Sequence, residues 1–160
     1  MVQHAGQPGR FKVLLANEQE GWHQTVRRLL EPQGVQTLSA RSGREALELI
    51  ESTPVHAAVL DVQMPQLGGM QVIRLMREMH RPEPSRLESG RIEPGAPDAG
   101  RVEVPTAILL ANDLNSHLLR EALAMHVFSV LSKPVDFNVL LDALARVLRR
   151  YHASRWPKGQ

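Results

Sequence analysis

No cysteine occurs among the 160 residues, which excludes a disulfide frame, a thiolate zinc site and a cysteine nucleophile. Aromatic residues make up only 4% of the chain, so its core has to be built from aliphatic side chains. Lysine is scarce as well, with three against sixteen arginines. No apolar stretch is long enough to cross a bilayer, and Met1 to Arg10 is polar and Gly/Pro-bearing, unlike a signal peptide. The expectation is a cytoplasmic protein with no membrane partner. No G-x-S-x-G, Walker loop or H-E-x-x-H string is present, and the seven histidines are scattered without ligand spacing. These absences argue against a hydrolase, and the expectation is a protein that is not an enzyme. The formal net charge of +2 is small, so direct nucleic-acid binding is not expected either.

What is present is a chain of ordinary single-domain size, 42% hydrophobic and 22% charged. It is organised around the stretch from Val55 to Gly69. A short apolar run, Val55 to Leu60, ends on Asp61; Met64-Pro65 follows, then Gly68-Gly69, then a helical pattern. A run of that length bounded by turn residues suits a buried strand of a parallel sheet. Asp61 then stands at the carboxyl end of a central strand, where open α/β sheets place their chemistry. Taken alone, Asp61 is equally well a turn former or a helix cap.

The remaining segments alternate. Strands are expected over Phe11 to Ala16, Val35 to Ala40, Pro105 to Leu110 and Val127 to Leu131. A helix from Glu20 to Leu30 shows apolar residues at Trp22, Val26, Leu29 and Leu30 and stops at Pro32 and Gly34. Ser42 with Glu45 forms a capping box for a second helix that ends before Pro54. A third runs from about Gly69 to His80, with Val72, Ile73, Leu75, Met76 and Met79 facing inward. Asn115 or Asn112 caps a fourth ending near Met125, and Asp136 or Asn138 caps a fifth whose core face carries Phe137, Leu140, Leu141, Leu144, Val147 and Leu148. Residues 1–10 read as a flexible lead, 11–152 as one domain and 153–160 as a tail. A Pro/Gly/charged insertion of about 81–104 has too few apolar side chains to pack, and it far exceeds the ~2–6 residues usual for an α/β connection. Five strands alternating with five helices make an α/β, flavodoxin-like, doubly wound (βα)5 sandwich, a parallel five-stranded sheet in the order 2-1-3-4-5.

In that order three strand ends converge. The first strand ends on Asn17-Glu18, the third on Asp61 and the fifth on Ser132-Lys133-Pro134. Glu18 and Asp61 would repel across a shallow cleft, and a hard divalent cation such as Mg²⁺, held by oxygen ligands, resolves the repulsion. Lys133 supplies a counter-charge for an anion there.

Asn17-Glu18 after the first strand, Asp61-Val-Gln-Met-Pro-Gln-Leu-Gly-Gly after the third and Lys133-Pro134 after the fifth resemble the receiver domain of two-component response regulators. The likeness spans about Phe11 to Tyr151 apart from the insertion. It implies a phosphoprotein in a phosphorelay, with Asp61 as the phosphoacceptor that takes its phosphoryl group from a histidine kinase or phosphotransfer protein. It also implies assistance by Lys133 and by Mg²⁺ on Glu18, Asp61 and the backbone carbonyl of Gln63, with Asn17 as a further candidate ligand. The output is then a protein contact, with a downstream protein or a second copy, through the face of the fourth helix, fifth strand and fifth helix. His117, Arg120 and Glu121 are candidates on that face.

Three positions depart from the family pattern. The hydroxyl residue at the end of the fourth strand is replaced by Leu110, and the aromatic of the fifth strand by Val130. One carboxylate of the acidic pair is lost at Asn17. The alternative reading is therefore a phosphorylation-independent pseudo-receiver. A flavodoxin-type flavin binder on the same fold needs a Ser/Thr/Gly-rich phosphate loop after the first strand, where Asn17-Glu18-Gln19-Glu20 offers repulsion instead.

Overall fold

Five apolar runs become five parallel strands: β1 (Lys12–Ala16), β2 (Gln36–Ala40), β3 (Ala57–Asp61), β4 (Thr106–Ala111) and β5 (Ser129–Ser132). The computed structural model describes residues 11–79 and 104–151. The strands lie in the order β2-β1-β3-β4-β5, as the alternation of elements implies. Between them run α1 (Glu20–Leu30), α2 (Gly43–Ser52), α3 (Gly69–Met79), α4 (Ser116–Ala124) and α5 (Phe137–Tyr151), with a 3-10 turn at Glu31–Gln33. The lead, the tail and nearly all of the proposed insertion lie outside the described residues. Among the described residues no helix is long and apolar enough to cross a membrane.

The central strands are apolar on both faces because helices cover both. Leu14, Ala58, Leu60 and Leu109 point to one side and pack with Ile50, Ile73, Met76 and Leu118 of α2, α3 and α4. Val13, Leu15, Val59, Ile108 and Leu110 point to the other and pack with Val26, Leu30, Leu140, Leu144 and Leu148 of α1 and α5. All five residues of β3 are buried, whereas β2 and β5, at the sheet edges, are mostly half-buried.

Caps decide where helices begin. Ser42 Oγ accepts the Glu45 N–H at 3.1 Å and opens α2. Of the two asparagines before α4, Asn115 is the cap, its Oδ1 accepting the Leu118 N–H at 2.8 Å. Asp136 Oδ1 accepts the Asn138 N–H at 2.9 Å, which makes Asp136 the residue that opens α5 and leaves Asn138 inside it.

The helical faces differ from expectation at two points. On α1 the inward residues are His23, Val26 and Leu30, while Leu29 is 36% exposed. The buried face follows the spacing i, i+3, i+7, and a polar ring occupies its first position because His23 Nε2 donates to the Asn17 carbonyl at 2.6 Å. Met79 is 42% exposed rather than inward, since the last turn of α3 runs past the edge of the core.

Candidate functional site

Asp61 is the last residue of β3 and only 3% exposed, so its carboxylate must find partners within the protein. Lys133 Nζ lies 2.8 Å from each of its oxygens. Asn17 Nδ2 donates to Oδ2 at 3.2 Å, and the Gln63 N–H donates to Oδ1 at 2.9 Å. The main chain holds these donors in turn. The Asn17 N–H donates to the Ala40 carbonyl at 3.0 Å and the Lys133 N–H to the Ala111 carbonyl at 2.9 Å, extending the sheet past each strand end.

The glycine pair explains how β3 turns into α3 so close to the acid. A Cβ on Gly68 would stand 2.4 Å from the Val62 carbonyl oxygen, and one on Gly69 would stand 2.7 Å from the Asp61 carbonyl oxygen. Only residues without a side chain let α3 start against the end of its own strand.

Above Asp61 opens a cavity of about 610 Å³ whose walls include Asn17, Glu18, Trp22, Gln63 and Lys133. Both expected carboxylates line this cavity, Glu18 as an exposed residue and Asp61 as a buried one. Asn17 sits differently from a third ligand. Its Oδ1 accepts the Gln19 N–H at 2.8 Å and its amide nitrogen faces Asp61, which makes it a donor to the acid. Asn112 Nδ2 donates to Gln63 Oε1 at 3.3 Å across the rim.

Leu110 pairs with Asp61 in register across β3 and β4, and it is fully buried. No hydroxyl stands beside the acid at that position. Val130, half-buried on β5, packs against the α2, α3 and α4 side of the core. On α4, His117 and Arg120 are exposed, but Glu121 is half-buried and ion-paired with Arg74 of α3. Glu121 thus joins two helices rather than standing clear on the outer face.

Two residues of this region escaped the reading of the sequence. Trp22, one of the apolar residues of α1, packs against the core and also lines the cavity, and among the described residues its buried indole N–H has no hydrogen-bond partner. His23 buttresses the Asn17 carbonyl. The spacing of His23 with Val26 and Leu30 carried a signal for the second; nothing local marked the first.

Residues 13–87 match the family model of the response regulator receiver domain. A response regulator of Streptococcus pneumoniae, RR06, is 23% identical over 147 residues, covering 89% of this chain and 55% of its own length. A protein of Oryza sativa subsp. japonica named probable histidine kinase 3 is 28% identical over 125 residues, covering 76% of this chain and 12% of its own length. The chain thus spans about half, or much less, of the length of these relatives. Among solved structures, the signal receiver domain of an HD domain-containing protein from Pseudomonas fluorescens superposes with a TM-score of 0.68 at 26% identity, covering 90% of this chain and 98% of that one. The match over residues 13–87, the shared fold and these relatives make the chain similar to the response regulator receiver domains.

Proposed function

We propose that Asp61 accepts a phosphoryl group from the phosphohistidine of a histidine kinase or phosphotransfer protein, in the cytoplasm, and that the chain then acts through protein contacts rather than as an enzyme. The observation that carries this reading is the buried Asp61 carboxylate with Lys133 Nζ at 2.8 Å from both oxygens, at the floor of an open cavity. An Asp61 oxygen attacks phosphorus, the P–N bond breaks, and the electron pair returns to the partner's imidazole, giving an acyl phosphate and a free histidine. Lys133 follows the transferred oxygens, while the Gln63 N–H and the Asn17 amide hold the carboxylate in its attacking orientation.

The donors around the cavity fit a hard cation. Of the residues lining the cavity, Glu18 and Asp61 would supply carboxylates and Gln63 its main-chain carbonyl, all oxygens. Among the described residues no three His, Cys, Asp or Glu side chains cluster. That set suits Mg²⁺, which keeps several waters and takes only one or two carboxylates. Bound there, Mg²⁺ would neutralise charge on the phosphoryl oxygens.

A second reading rests on Leu110. Its buried alkyl group stands at the register position beside Asp61, where a hydroxyl would follow the phosphoryl group. On that reading the chain binds its partners whether or not Asp61 is modified. Intact-protein mass after incubation with Mg²⁺ and acetyl phosphate separates the two. The first reading expects a phosphate-sized gain that a chelator abolishes and that Asp61→Asn lacks. No gain, under conditions that label an ordinary receiver, leaves the second.

A further inference from the structure

At the opposite end of the sheet from Asp61, beneath the first residues of β4 and β5, lies a second cavity of about 560 Å³. Arg77 from the end of α3 and Arg146 and Arg150 from α5 all line it, together with the His126 imidazole from the turn after α4. Among the described residues no carboxylate lines it. Arg77 Nε is itself buried and, among the described residues, has no hydrogen-bond partner, an uncommon state for a donor in a folded protein. Arg146 bonds Asp142 through Nε at 3.2 Å, but both side chains of that pair are more than half exposed, so it holds the arginine only weakly. The helix dipole accounts for a cation near the end of each helix. It does not account for cations from α3 and α5, on opposite faces of the sheet, meeting over one concavity.

We propose that this cavity binds a small organic phosphate, through the guanidinium groups of Arg77 and Arg146. Guanidinium groups are planar forks that match phosphate oxygens in pairs, and they hold their charge throughout the physiological range. A volume of about 560 Å³ falls in the range of sites for whole small molecules rather than a bare ion. Its remaining walls include Pro105, Val127 and Phe128, which suit an apolar or aromatic body attached to the phosphate. The Thr106 and Ser129 hydroxyls stand at the strand starts as further polar partners.

The test is a titration of the isotope-labelled full chain with phenyl phosphate at constant ionic strength, following backbone amide shifts. Saturating shifts at Thr106, Val127 and Ser129 are expected, with inorganic phosphate and benzoate each binding more weakly. Arg77→Gln and Arg146→Gln should each weaken the fit by at least about tenfold, in line with the loss of a charge-assisted hydrogen bond. Arg146 is exposed on α5, so its replacement leaves the fold intact and keeps the test decisive if Arg77→Gln unfolds. Shifts that do not saturate, that persist unweakened in the variants, or that appear only around Asp61 and Lys133 would overturn the proposal.

Discussion

At the residue scale, the arrangement at the end of β3 follows from one buried carboxylate. At 3% exposure the Asp61 carboxyl group has little water to bond, and Lys133, Asn17 and Gln63 all donate to it instead. Lys133→Ala removes the cation and leaves the charge behind. With Lys133 partly exposed, the expected loss is about 2–3 kcal/mol, read from the urea midpoint. Adding Asp61→Asn should recover part of it, because the uncompensated charge is gone. Leu110→Thr tests the switch position. A hydroxyl in that buried slot lacks a partner until a phosphoryl group arrives, so the unmodified variant should lose about 1–3 kcal/mol. Phosphorylation should then stabilise this variant more than the parent. Equal stabilisation of both would mean that position 110 does not sense the phosphoryl group.

At the element scale, local signals and the strand order read true, whereas contacts between helices did not. Ser42 with Glu45, and the apolar runs of β1, β3 and β4, are local patterns, and the structure keeps them. Asn115 over Asn112 and Asp136 over Asn138 were choices between neighbours that only the hydrogen bonds resolve. The ion pair of Glu121 with Arg74 joins helices separated by β4 and could not be read from either helix. His23 was passed over because a polar ring does not register in an apolar pattern, although its spacing was right. Two substitutions probe these elements. Ser42→Ala should cost about 1 kcal/mol, a drop of roughly 2–4 °C in Tm for a domain of this size. Gly69→Ala forces a Cβ to within 2.7 Å of the Asp61 carbonyl and 3.0 Å of Leu109, so it should destabilise by roughly 1–3 kcal/mol and slow acceptance at Asp61 as well. A Gly69→Ala variant with parental stability would contradict the close packing of α3 against β3.

At the scale of the whole molecule, the sheet order brings β1 and β3 side by side and sets β5 beyond β4, yet Lys133 still reaches Asp61 across 72 positions of sequence. That convergence was legible in the strand order expected from the alternation of strands and helices, although no local pattern links residues so far apart. On the proposed function, a cation held by Glu18 and Asp61 would bind the folded chain alone, so Mg²⁺ at a hundred times its dissociation constant should add about 2.7 kcal/mol of stability. Glu18→Gln should remove most of that gain, as read by thermal unfolding with and without a chelator. The central claim, that the Asp61 carboxylate itself carries the phosphoryl group, is met most directly by borohydride trapping. An acyl phosphate is reduced to an alcohol, so treating the chain with Mg²⁺ and acetyl phosphate, then borohydride, and mapping its peptides identifies the modified residue. The account expects homoserine at position 61 and an unchanged peptide when acetyl phosphate is left out. Reduction at another acidic residue, or an intact Asp61 in a chain that has gained phosphate, would contradict it.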